Sequence, residues 1–175
     1  MLLRVALLFA VLASAAVVDT AWLSRLPLYG APDILLLAVL SVGLRRGLDA
    51  GTLMGGVAGY LRDLIGGSPM GLHTLSYLLV GAAAGAASPL VDLHQRAMPA
   101  AAALVGTALL AVLIAGAVLV TGVAPVRWPV FLYAAAVAAI LNALLAGPVD
   151  RLMRWIDRLA QRRYEGRMIG HRVPR

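Results

Sequence analysis

The sequence contains no cysteine and no lysine in 175 residues. Without cysteine there are no disulfides and no thiolate metal sites. Formal charge is scarce, with 15 basic residues, all arginine, against 8 acidic ones. The catalytic signatures are missing as well. There is no GxSxG elbow, no phosphate-binding glycine loop and no pair of carboxylates in a setting suited to acid–base work. His73, His94 and His171 are the only histidines and are scattered along the chain, so they do not form a metal site. Nothing here points to an enzyme or a cofactor. A pI of 11.0 could suggest nucleic acid, but eight of the arginines lie from Arg151 onward. That clustering fits the excess of positive charge on the cytoplasmic side of membrane proteins better than a nucleic-acid face.

What the chain has in abundance is apolar residues, 62% of the total, with a mean hydropathy of +0.90. They come in runs instead of stripes, which predicts an all-α integral membrane protein of one domain. We expect six transmembrane helices over residues 1–147: 2–23, 33–44, 48–61, 71–87, 100–120 and 129–146. Residues 2–23 also allow a signal-peptide reading, with Arg4 as basic region, 5–12 as apolar core and Ala13-Ser14-Ala15 as cleavage site. Proline in 27–32 disfavours helix before the second span, Arg45-Arg46-Gly47 reads as a tight turn, and Gly66-Gly67-Ser68-Pro69 is a turn signal. With the N-terminus inside, twelve arginines fall on the cytoplasmic side and only Arg25, Arg62 and Arg127 outside. Both termini are then cytoplasmic, and Trp22, Tyr29 and Trp128 sit at the outer interface.

From Val149 the pattern changes. Gly147-Pro148 is expected to end the sixth span and to start a new helix. Val149, Leu152, Met153, Ile156, Leu159 and Ala160 recur at helical spacing, with Asp150, Asp157 and arginines on the other face. Residues 148–175 thus read as a cytoplasmic amphipathic helix and a disordered basic tail from Glu165. The helix lies on the inner leaflet through Arg151, Arg154, Trp155, Arg158 and Arg162, or docks a cytoplasmic protein.

Gly43, Gly47, Gly51, Gly55 and Gly59 fall four apart, and Gly81 and Gly85 repeat the spacing. Every fourth residue lies nearly on one helix face, so this face has no side chains and lets another backbone come close. Packing inside the bundle and a groove for a partner's helix both explain it. On the groove reading, Gly55→Leu weakens assembly more than folding. Charges near the membrane are costly and tend to be retained with a partner. Asp33 is placed to cap the second helix. Arg62 and Asp63 adjoin the GGSP turn and serve to fix it or to bind. Asn142 is expected to make an interhelical hydrogen bond.

The stretch PDILLLAVLSVGLRRG, the glycine-spaced helix after it, and RDLIGGSPMGLHTLSYLLVG resemble the bacterial rod shape-determining protein MreD family. The positions that carry the resemblance are Pro32, Asp33, Gly47, Gly59, Asp63, Gly67, Pro69 and Gly71. The long arginine-rich tail exceeds the family pattern. The resemblance implies a non-enzymatic scaffold of side-wall elongation in the bacterial inner membrane. It also implies association with MreC and, directly or through it, with MreB, RodA and RodA's partner transpeptidase; a homo-oligomer is a further arrangement. Contact regions would be the Gly51-Gly55-Gly59 face, the turn from Arg62 to Gly71 and the cytoplasmic helix. The family is similar in fold to the substrate-binding subunits of energy-coupling-factor transporters. That similarity supplies the alternative, a small-molecule carrier with a pocket around Asp63 and His73.

Overall fold

The computed structural model describes residues 30–66, 71–92, 95–122 and 127–169, with side chains through residue 158. The first span, the signal-peptide alternative, Gly67, Pro69, His94 and the last six residues lie outside the described residues. Those described form α1 (Ile34–Arg46), α2 (Leu48–Gly66), α3 (Leu72–Ala87), a 3-10 turn at Ser88–Leu90, α4 (Met98–Thr121) and α5 (Trp128–Ile169), with no strand among them. α4 and the segment Trp128–Arg158 of α5 are long and apolar enough to cross a membrane. α1 has 13 residues, about 20 Å at 1.5 Å per residue, and it is the innermost element. Leu35 to Leu44 are all buried, and α2, α3, α4 and α5 all pack against it. A helix apolar on every side belongs in a core.

Only Gly47 separates α1 from α2. Its φ of +85° is in the left-handed region, and its N–H donates to the Gly43 carbonyl at 2.9 Å. A side chain there would be strained although space is open around it.

α2 and α3 are antiparallel and approach backbone to backbone. A Cβ added at Gly51 would collide with the Gly81 carbonyl, at Gly55 with the Tyr77 carbonyl and at Gly59 with the His73 carbonyl. One at Gly85 would meet the Gly47 carbonyl. Each four-residue step along α2 thus matches a four-residue step back along α3. The glycine face is therefore filled from within the chain, and the partner-groove reading of Gly51, Gly55 and Gly59 is corrected: α3 already occupies it.

α5 corrects a second expectation. It runs unbroken from Trp128 to Ile169 with Pro148 inside it, so the helix does not stop at Gly147 and the tail stays helical past Glu165. An interior proline costs a helix about 3 kcal/mol through its missing N–H and ring clash. The cost is offset because the turns after Pro148 dock on α1: Asp150, Met153 and Ile156 are buried. The amphipathic stripe therefore faces the bundle, while Leu152 is left half exposed.

Leucine at position 55 must push apart two backbones, whereas a Cβ at the adjacent Gly56 meets nothing closer than Leu78 Cδ1 at 3.8 Å. Gly55→Leu is expected to lower the melting temperature in detergent by 10 °C or more, or to prevent folding, and Gly56→Leu to stay within about 3 °C of the parent. Thermal unfolding of the purified variants checks this.

Candidate functional site

Three polar clusters interrupt the apolar bundle. The first is built around the start of α1. Asp33 precedes α1 and accepts from the Leu36 N–H at 2.9 Å, the capping role expected of it. Its other carboxylate oxygen accepts from the Tyr77 hydroxyl of α3. Its own N–H donates to Asn142 Oδ1 of α5 at 2.6 Å, and Asn142 Nδ2 donates to Thr107 Oγ1 of α4 at 2.9 Å. Thr107 Oγ1 in turn donates to the Ala103 carbonyl one turn back. All four side chains are buried, so each partner lost would leave a desolvated polar group. The interhelical role expected of Asn142 is found: it joins α5 to α4 and to the start of α1, and Asp33 carries the network on to Tyr77 of α3.

The second cluster closes the α2–α3 turn. Gly71 begins α3 with φ +98° and has no side chain to cap it. Asp63, near the end of α2, does so from across the turn. Its carboxylate accepts from the Gly71, His73 and Thr74 N–H groups at 2.9–3.0 Å and from Thr74 Oγ1 at 2.7 Å, and His73 Nδ1 lies 3.0 Å away. The first-turn N–H groups of a helix lack internal partners and favour negative charge, so the arrangement is a cap built in trans. It brings Asp63, Gly71 and His73 together, with Arg62 half buried beside them. Asp63 is saturated by its own chain, which removes the open polar pocket that a carrier would need at this place.

The third cluster lies at the far end of α1. Asp150 accepts from Ser41 Oγ at 2.9 Å and from Arg45 Nε at 3.1 Å, and Arg154 Nη1 is 3.1 Å from its second oxygen. Arg46 pairs with Asp157. Asp33 to Asn142 and Ser41 to Asp150 are both separated by 109 residues. Helices α1 and α5 therefore run parallel in constant register, joined at both ends of α1.

Tyr77, Thr74, Thr107 and Ser41 escaped the sequence reading. A tyrosine one turn after His73 in an apolar run was the available signal, because a buried phenol needs a partner. The hydroxyls gave none, since serine and threonine in apolar helices commonly bond back to their own helix. By helical spacing Asp150 belongs to the outward polar face, and it is instead 5% exposed. Of the surface candidates, Arg151, Trp155 and Arg158 are exposed, and Arg154 is half buried; the Arg162 side chain lies outside the described residues.

The remaining feature is outside the α2–α3 pair. An apolar groove of about 990 Å³ runs along α2 from Leu48 and Asp49 past Thr52, Gly56 and Tyr60 to Leu64, with Leu78 and Ala82 of α3 as its other wall. Among the described residues no group of three histidine, aspartate or glutamate side chains could hold a metal ion.

The family model of the rod shape-determining protein MreD matches residues 1–156. The chain belongs to the MreD family. That membership implies a role in determining rod shape, and together with the two long apolar helices it points to a protein of the inner membrane. No curated protein and no solved structure matches the chain. The matched region takes in the first two polar clusters of this MreD-family chain and all of the third but Asp157, and the end of α5 beyond residue 156 falls outside it.

Asp63→Ala removes a charged acceptor from five donors and should destabilise the protein by about 3 kcal/mol, against less than about 0.5 kcal/mol for exposed Asp49→Ala. Equilibrium unfolding in mixed micelles measures both. Equal effects would deny the cap its structural weight.

Proposed function

We propose that this protein is a non-enzymatic membrane scaffold of the bacterial cell-elongation machinery. In this reading it holds the membrane helix of MreC and, directly or through MreC, links to MreB, RodA and RodA's partner transpeptidase. It spans the inner membrane six times, with both termini cytoplasmic. Its fold is then like that of the substrate-binding subunits of energy-coupling-factor transporters.

The observation that carries the reading is the groove along α2 and α3. Apolar surface alone is at home in lipid, so its shape is what argues for a partner. Gly56 lies in the groove, and its missing side chain is not required by any internal contact. A glycine left open in this way lets a second helix backbone come close, the means by which membrane helices associate without a hydrophobic driving force. Exposed Leu53, Tyr60 and Leu64 supply the packing surface around it. The carrier alternative is not favoured, because Asp63 and His73 are engaged with each other and with the start of α3.

The absence of cysteine makes the test direct. Single cysteines at Leu53, Gly56 and Tyr60, oxidised against a cysteine series along the MreC membrane helix, are expected to cross-link at three- to four-residue intervals. Cross-links confined to α4 positions such as Val112 would overturn the assignment. Gly56→Leu is expected to lower recovery of MreC about tenfold, or ~1.4 kcal/mol, at unchanged melting temperature.

A further inference from the structure

The continuous α5 sorts charge in a way that its sequence conceals. Residues 150–158 contain two aspartates and three arginines. The fold turns both aspartates inward, Asp150 to Ser41 and Arg45 and Asp157 to Arg46, and it ties Arg154 to Asp150. Arg151 and Arg158 are left exposed, with no carboxylate partner among the described residues, and Trp155 stands between them, 55% exposed. Steps of seven, four, seven, four and three residues place Tyr133, Ile140, Leu144, Arg151, Trp155 and Arg158 on one outward face. The face is apolar up to Leu144, itself 70% exposed, and basic and aromatic beyond Pro148.

The spacing matches a bilayer. From Tyr133 to Arg151 the helix rises about 27 Å at 1.5 Å per residue, against a hydrocarbon core of about 30 Å. Arg151 then enters the headgroup layer, Trp155 follows one turn further on and Arg158 lies about 10 Å beyond Arg151. Side chains of an α-helix tilt toward its N-terminus, here back toward the apolar stretch. Both guanidinium groups can therefore reach phosphate while their stems stay on apolar surface, and an indole is favoured at this level.

We propose that Arg151, Trp155 and Arg158 form a binding site for the headgroup of an anionic phospholipid in the cytoplasmic leaflet. This goes beyond the MreC scaffold and rests on that reading only for the topology that puts the end of α5 on the cytoplasmic side. Guanidinium groups bind phosphate oxygens through paired N–H donors, and tryptophan covers the glycerol region that separates headgroup from chain. The inward pairing of Asp150 and Asp157 keeps the site free of opposing charge, so the clasp onto α1 and the lipid site depend on one another.

The test uses the full chain with Trp22→Phe and Trp128→Phe, which leaves Trp155 as the one tryptophan, in nanodiscs of phosphatidylcholine and phosphatidylglycerol. Brominated phosphatidylglycerol is expected to quench Trp155 well beyond brominated phosphatidylcholine at the same mole fraction. A basic residue near an anionic surface gains about fivefold, so Arg151→Gln with Arg158→Gln should reduce the preference at least tenfold at unchanged melting temperature. Raising NaCl to about 0.5 M should weaken it in the parent, which reads the same interaction without any substitution. Equal quenching by the two lipids, or a preference that survives both the double substitution and salt, would overturn the site. Capture of an acidic protein by this face without lipid preference would also overturn it.

Discussion

A short helix buried on every side can persist only if the polar groups at both its ends are satisfied inside the protein. α1 meets that condition through α5. Asp33 caps its start and is itself held by Asn142 and Tyr77, and the arginines at its end are held by Asp150 and Asp157. The two helices run parallel with one register, so a slip of α5 along α1 would break both ends together. That coupling explains why α5 continues through Pro148. Ending the helix there would release Asp150, Met153 and Ile156 from α1, and the buried contacts outweigh the local cost of proline.

The α2–α3 pair solves a different problem by a different device. In lipid there is little hydrophobic gain in helix pairing, so close backbone approach and dispersion supply the attraction. The glycine ladder provides it on one side, and Asp63 locks the turn at one end by capping α3 in trans. The result is a stiff hairpin whose outer face carries the groove. Such stiffness suits the scaffold proposed here, because a helix that docks on a preformed groove loses little further conformational freedom.

Much of this was legible from spacing and chemistry. The four-residue glycine period announced close approach, Pro32-Asp33 announced a cap, and Asn142 in an apolar run announced a bond between helices. The helices after residue 30 begin and end within a few residues of the expected positions, apart from the end of α2, which extends beyond Leu61 to Gly66, and that of α5, which continues through Pro148 to Ile169. The errors have one origin. Which of two candidate surfaces fills the glycine face, and whether a helix survives proline, depends on neighbours distant in sequence. The Asp33 and Asn142 contact spans 109 residues, and no local pattern reports it.

By itself the sequence determined that lipid or protein must surround these helices, that no thiol chemistry is available, and where a backbone can come close to another. Those properties follow from composition and from periods of a few residues, which act locally. Only the tertiary structure decided that α3 fills the glycine face, that α1 lies at the centre, and that the aspartates of α5 turn inward while Arg151 and Arg158 turn out. The physical reason is that a helix has one angular orientation about its axis. Buried partners on α1 set that orientation for α5, and its own alternation of charges could not.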